Sequence, residues 1–231
     1  MTAAFLVLRA IAVLAIGAAV VGQIITSLGF WADAGLTDTA FRLTNFFSIV
    51  TIESNVASVV VLTMAIGLTL MGRRPTWFEV LRAAVTTYMV TGGIVYNMLL
   101  RGIELPQWAT LAWSNEILHV WGPLYLLIDR LFAPGRIQLE WKQFLWIIGF
   151  PLVWAVYTLI RGPLTYDPVL EGPFYPYPFL NPVTSTSGYV SVAFYVILIA
   201  AVIGLVGAAI IRISRTRLGQ ATDARPVSAT A

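Results

Sequence analysis

The chain has 231 residues, of which 58% are hydrophobic and only 11% charged, with a formal net charge of +3. A soluble domain carries roughly 25% charged residues, so this composition excludes a water-soluble enzyme, a disordered chain and a typical nucleic-acid binder. There is no cysteine and a single histidine, which excludes disulfides, thiolate metal sites, a cysteine nucleophile and any multi-histidine metal centre within one chain; no cofactor and no metal are expected.

A helix that crosses a membrane needs about 20 mostly apolar residues. Six segments qualify in chain order: 5–28, 46–71, 78–100, 113–132, 144–160 and 189–211. The first is too long for a signal peptide and lacks a clear small-x-small cleavage site, so it reads as a retained span. Six spans place both termini on one side. Of the fourteen Lys and Arg residues, all but Arg42, Arg101 and Arg161 lie on that side. The positive-inside rule then makes both termini cytoplasmic. The expectation is an all-α, multi-pass protein of the cell membrane: a six-helix bundle over 1–212 and a short polar cytoplasmic tail over 213–231. Its outer loops are 29–45, 101–112 and 161–188. The last of these holds six of the twelve prolines, interleaved with aromatics. Proline forbids a regular helix there, and the aromatics suit an interface, so the loop reads as a rigid, irregular cap over the outer mouth of the bundle.

Ionisable and strongly polar groups inside a span are costly and mark function more often than not. Span two carries Thr44, Ser48, Thr51, Asn55 and Ser58 at intervals of 4, 3, 4 and 3, which is one helical face, with Glu53 beside it. For Ser48 and Ser58 alone a helix–helix seam explains the pattern, because small hydroxyls are common there. Asn55 is too polar for that reading. Span three ends in Tyr96 and Asn97. Span four opens with Trp113 and carries Asn115, Glu116 and His119 on one face. A plain structural histidine, satisfied by Asn115 or a carbonyl, is the competing reading. Depth favours function: at the helical rise, Thr51 lies roughly 8 Å below the outer end of its span and His119 roughly 9 Å below its own. A hydroxyl, an imidazole, two carboxylates, three amides and a phenol therefore converge at one level. Ser48, Trp113, Tyr177 and Phe179 are candidate pocket or cap positions around them. A hydroxyl beside a base is the inventory for acyl transfer.

The runs at 47–55, 113–123 and 175–180 read FSIVTIESN, WSNEILHVWGP and YPYPFL. In this order, with Tyr96 and the outer-loop pair Leu105-Pro106, they resemble the androgen-induced and androgen-regulated integral-membrane threonine hydrolases. Those enzymes cleave fatty acid esters of hydroxy fatty acids; the likeness is greatest to a six-span actinobacterial branch. The resemblance implies that Thr51 is the nucleophile and His119 the base. The animal members carry a less polar run where this chain has Glu53-Ser54-Asn55. On this reading Asn115 or Glu116 orients the imidazole. Asn55, Asn97 or Tyr96 donates to the oxyanion, and Glu53 or Glu116 is neutral or pairs with Arg42 or Arg101. The expected partner is a lipid entering sideways from the outer leaflet, with no nucleic acid and no metal. The rival expectation is a small-molecule or proton-coupled transporter that uses the same carboxylates and histidine as a relay. The lack of an internal repeat and of Gly/Pro-broken helix pairs argues against it.

Overall fold

A chain this poor in charge must satisfy its backbone polar groups internally, and helices do so within one segment. The computed structural model describes residues 2–103, 109–134, 136–185 and 187–216. The protein is mostly helical. Five helices are long and apolar enough to cross a membrane: Thr2–Asp33, Val50–Leu70, Thr76–Leu100, Trp141–Leu164 and Tyr189–Ser214. Within these lie α1 (Thr2–Asp33), α3 (Val50–Leu70), α4 (Thr76–Val95), α7 (Phe144–Leu164) and α8 (Tyr189–Ser214). α1 packs along α3, and α4 lies at the centre against α3, α6, α7 and α8, where α6 is Gly122–Phe132.

Two expected spans differ from straight helices. The stretch 46–71 is interrupted: α2 (Thr39–Phe47) ends, Ser48 caps it, and Ile49 is extended before α3 begins. The break resets the helical phase, so the 4-3-4-3 face does not continue through it. Thr44 is exposed and bonds the Ala40 carbonyl at 2.8 Å, whereas Thr51, Asn55 and Ser58 stay buried on α3. The stretch 113–132 is helical but in pieces: α5 (Ala112–Glu116), a π-helical turn (Ile117–Trp121) and α6. Pro123 supplies the reason. Proline cannot donate to the carbonyl four residues back, and its ring crowds that carbonyl, which here belongs to His119. The helix widens and α4 closes in. A Cβ on Gly93 would lie 3.0 Å from the His119 carbonyl oxygen and 3.2 Å from Pro123, so this approach depends on glycine. α4 itself ends in a facing π turn, Tyr96–Leu100.

At the opposite end of the bundle the ionisable residues form a buried network. Arg9 meets Asp129 at 2.8 Å, Arg82 meets Asp129 at 2.9 Å and Glu79 at 2.7 Å, and Arg130 meets Glu79 at 2.8 Å. All five are buried. As sequence these arginines counted only as orientation charges, and Glu79 and Asp129 had no role. Their i,i+3 and i,i+1 spacing to Arg82 and Arg130 was the available signal.

The proline-rich loop does fold back. Tyr166–Asp167 pairs antiparallel with Gly172–Pro173 through a turn in which Glu171 has φ 49°, and a 3₁₀ turn covers Pro178–Leu180. Phe174, Tyr175, Tyr177 and Leu180 are all buried. Gly162 of α7 admits the cap: a Cβ there would sit 2.3 Å from the Tyr175 ring. α8 runs on to Ser214, past the expected start of the tail at 213. Residues 217–231 and the pair Leu105-Pro106 lie outside the described residues.

Candidate functional site

Helix α3 starts without a side-chain cap, so its first N–H groups need outside partners. Thr51 is the second residue of that helix. Its N–H donates to the Tyr177 hydroxyl at 3.3 Å, and its Oγ1 lies 3.1 Å from the same hydroxyl. The cap residue thus completes the helix start. Phe179 stacks on the Tyr177 ring at 5.3 Å with planes 4° apart, and Trp154 adjoins it at 6.0 Å. Burial pushes the Tyr177 phenol up to about 12, so at neutral pH it keeps its proton and is a donor, not a base.

His119 sits in the π turn ahead of Pro123. Its Nδ1 is 3.0 Å from the Asn115 carbonyl oxygen. A carbonyl only accepts, so Nδ1 carries the hydrogen and Nε2 is left with the lone pair a base requires. The Tyr96 ring stacks on the imidazole at 3.9 Å with planes 25° apart. The Asn115 amide donates to the Tyr96 hydroxyl. The histidine is therefore oriented by a backbone carbonyl and clamped by a phenol.

Two cavities meet at Thr51. The smaller, about 110 Å³, is lined by Gln23, Thr51, Tyr96, Asn115, His119 and Tyr177 among others. The larger, about 190 Å³, is almost wholly apolar, with Pro151, Trp154, Leu159, Phe179, Val196 and Ile203 in its wall. Thr51, Tyr96, Leu100 and Tyr177 line both and form the partition between them. Among the described residues no hydrogen bond joins Thr51 to His119; both line the smaller cavity.

Several expected roles need correction. Glu116 makes the expected alternative pairing with Arg101, which engages both its oxygens at 2.8 and 3.1 Å at an exposed rim, and so does not orient the imidazole. Asn97 is no oxyanion donor, because its amide is committed to the carbonyls of Gly93 (2.8 Å) and His119 (3.4 Å). Asn55 is likewise committed, donating to the carbonyls of Thr51 (2.8 Å) and Leu118 (3.3 Å), so it braces α3 against the π turn. Ser48 lines neither cavity; it bonds the Thr44 carbonyl and the Tyr157 hydroxyl, and its own carbonyl accepts from Trp154. Trp113 lines neither; its ring lies against Gly22 of α1. Glu53 pairs with neither Arg42 nor Arg101, and its Oε2 is buried without a partner.

Gln23 of α1 was not singled out. Its Nε2 donates to the Ala109 carbonyl at 2.7 Å and its Oε1 accepts from the Leu111 N–H at 3.0 Å, which holds the lead-in to α5 over the smaller cavity. It is the only amide in the first apolar stretch, and that was a usable signal. Among the described residues there is no group of three or more His, Cys, Asp or Glu side chains placed to hold a metal ion. Comparison with protein-family models, with curated proteins and with solved structures finds no match to this chain.

Proposed function

We propose that the protein is an intramembrane hydrolase of lipid esters, with Thr51 as nucleophile and His119 as general base. The observation that carries this reading is the position of Thr51. Its hydroxyl stands in a partition, with a smaller, mixed-lined cavity that holds an oriented imidazole on one side and an almost wholly apolar chamber on the other. An acyl chain belongs in the chamber, and water and histidine belong in the cavity.

The chemistry balances as follows. Thr51 Oγ1 attacks the ester carbonyl carbon while its proton passes to His119 Nε2. The tetrahedral oxyanion forms beside the Tyr177 O–H and the Thr51 N–H, which exchange their mutual contact for contacts to it. The C–O bond to the alcohol breaks, and the leaving oxygen takes the proton from Nε2. A water from the smaller cavity then gives a proton to Nε2 and attacks the acyl-threonine. Collapse releases the free acid and returns the proton to Thr51. The proposal extends to the setting: six crossings, with 113–132 as the fourth, both termini cytoplasmic and the site in the outer half of the bilayer. It also extends to the family resemblance and to esters of hydroxy fatty acids as the substrate class.

The test is ester hydrolysis by purified protein in nanodiscs, using a fatty acid ester of a hydroxy fatty acid. Turnover that is absent in Thr51→Ala and His119→Gln, together with fluorophosphonate labelling at Thr51, is the expected result. Equal turnover in wild type and Thr51→Ala overturns the reading. Proton-coupled transport is the rival, and one observation favours it: the buried, unpartnered Oε2 of Glu53. It predicts proton uptake with a solute in proteoliposomes and no ester cleavage.

A further inference from the structure

Beneath the cap, beside the site but not in it, lies a surplus of hydrogen-bond donors. Arg42 of α2 is 5% exposed, and its Nε has no hydrogen-bond partner. Asn45, on the same face one turn later, is 3% exposed; its Oδ1 accepts from Arg161 at 2.7 Å, but its Nδ2 bonds nothing. Arg161 sits in the last turn of α7, with its guanidinium 5.6 Å from the centre of the Phe174 ring. Thr158, one turn earlier on that helix, is also buried, and its hydroxyl has no partner. Every ion pair among the described residues lies elsewhere. Arg42 and Arg161 therefore have no carboxylate among the described residues.

This is an unusual arrangement. Buried cations are normally paired, and a buried donor left unbonded is costly. Here the half-buried Arg161 has the Asn45 Oδ1 as its acceptor, while Arg42 Nε, Asn45 Nδ2 and the Thr158 hydroxyl, all buried, have none among the described residues. What they lack is a group that only accepts and carries negative charge. A carboxylate or phosphate head matches, because guanidinium binds such oxygens through two parallel N–H donors. Location narrows the source. Trp154, which lines the apolar chamber, also bonds the Ser48 carbonyl and so ties α7 to the α2–α3 break. The four donors line neither cavity themselves; they flank residues that do, Leu159 on α7 and Val50 just past the break.

We infer that Arg42, Asn45 and Arg161, with Thr158, form a binding site for the oxyanion head of a lipid whose chain lies in the apolar chamber. The site itself stands on these four residues. Only its description as a substrate-selecting site rests on the hydrolase reading: it would favour esters that carry a free carboxylate over neutral ones.

The experiment separates the two questions by using Thr51→Ala protein, in which no turnover is needed. In phosphatidylcholine nanodiscs, with binding to empty nanodiscs subtracted, oleate should bind at least tenfold more tightly than methyl oleate. Arg42→Gln and Arg161→Gln should each remove most of that preference, roughly tenfold per charged hydrogen bond lost, and leave methyl oleate unchanged. Arg42→Lys should restore part of it. A second arm replaces part of the phosphatidylcholine by phosphatidylglycerol. A rise in melting temperature that Arg42→Gln abolishes, without discrimination between oleate and its ester, assigns the site to a lipid phosphate. If Arg42→Gln does not fold, Arg161→Gln with Arg161→Lys carries the same comparison. Equal binding of oleate and methyl oleate, with no phosphatidylglycerol effect in any variant, overturns the proposal. Failure of ester hydrolysis with Thr51 intact overturns only the hydrolase reading.

Discussion

Tyr177 joins the cap to the chemistry through one oxygen. It accepts from the Thr51 N–H and touches Thr51 Oγ1, while its ring is held between Phe179 and Trp154. Tyr177→Phe keeps the ring and deletes the donor. Loss of one oxyanion donor costs roughly a hundredfold or more in rate, so kcat should fall by about that factor with KM within about twofold. Tyr177→Ala also opens the partition, and KM should rise with it; steady-state kinetics on both variants separate the two effects. If Tyr177→Phe is as active as wild type, the phenol is only a helix cap. Thr51→Ala and His119→Gln should each abolish turnover, and the double variant should be no worse, because the two act as a unit. That Thr51 and His119 share a cavity was legible in sequence, because hydroxyl and imidazole groups at matching depth stand out in apolar stretches. The Tyr177 contact was not, since 126 residues separate it from Thr51.

The π turn is the element that sets the histidine. Pro123 removes the donor to the His119 carbonyl, and Asn97 makes up part of that loss from α4. Pro123→Ala restores the missing backbone bond and lets the turn relax toward an α-helix, which rotates His119 away from the smaller cavity. The expected outcome is a melting temperature equal to or above wild type with at least a tenfold fall in kcat. A variant with unchanged kcat would detach the π turn from function. The cap depends on close approach in the same way. Gly162→Ala drives a methyl into the Tyr175 ring, since the Cβ position is 2.3 Å from it. Overpacking of this kind costs about 1–3 kcal/mol. Melting temperature should fall, and Tyr177 should be displaced with its neighbour, so activity should fall as well. The proline-rich cap was readable because proline rules out a regular helix. The break at Ser48-Ile49 was not, because both flanks are apolar and helix-competent, and only packing decides where the phase resets.

Across the bundle, the ionic network at the far end holds three helices, α1, α4 and α6, through five charged groups. Asp129 serves Arg9 and Arg82 together, at 2.8 and 2.9 Å. Asp129→Asn leaves both cations short of charge in a buried site, a loss worth about 3–5 kcal/mol. Thermal unfolding in detergent should show a large drop in midpoint, while a joint apolar replacement of Arg9, Arg82 and Asp129 should recover much of it. Orientation is a property of the same scale. The excess of Lys and Arg on the terminal side predicts that a reporter fused after Ala231 is active only in the cytoplasm. Activity only in the outer compartment would reverse the topology and move the site to the inner leaflet.

Composition and period were enough, without any coordinates, to specify a mostly helical protein with membrane-length apolar helices, an irregular cap and a polar cluster around Thr51 and His119. These follow from local quantities: apolar run length, proline's missing donor, and the cost of polar atoms in hydrocarbon. Tertiary structure decided the rest. It sent Glu116 to Arg101, spent Asn55 and Asn97 on carbonyls, joined Tyr177 to Thr51, and left Arg42 without a carboxylate among the described residues. Each of these is a choice among partners far apart in the chain, and hydrogen-bond partnership depends on where packing places the groups, not on what the residues are.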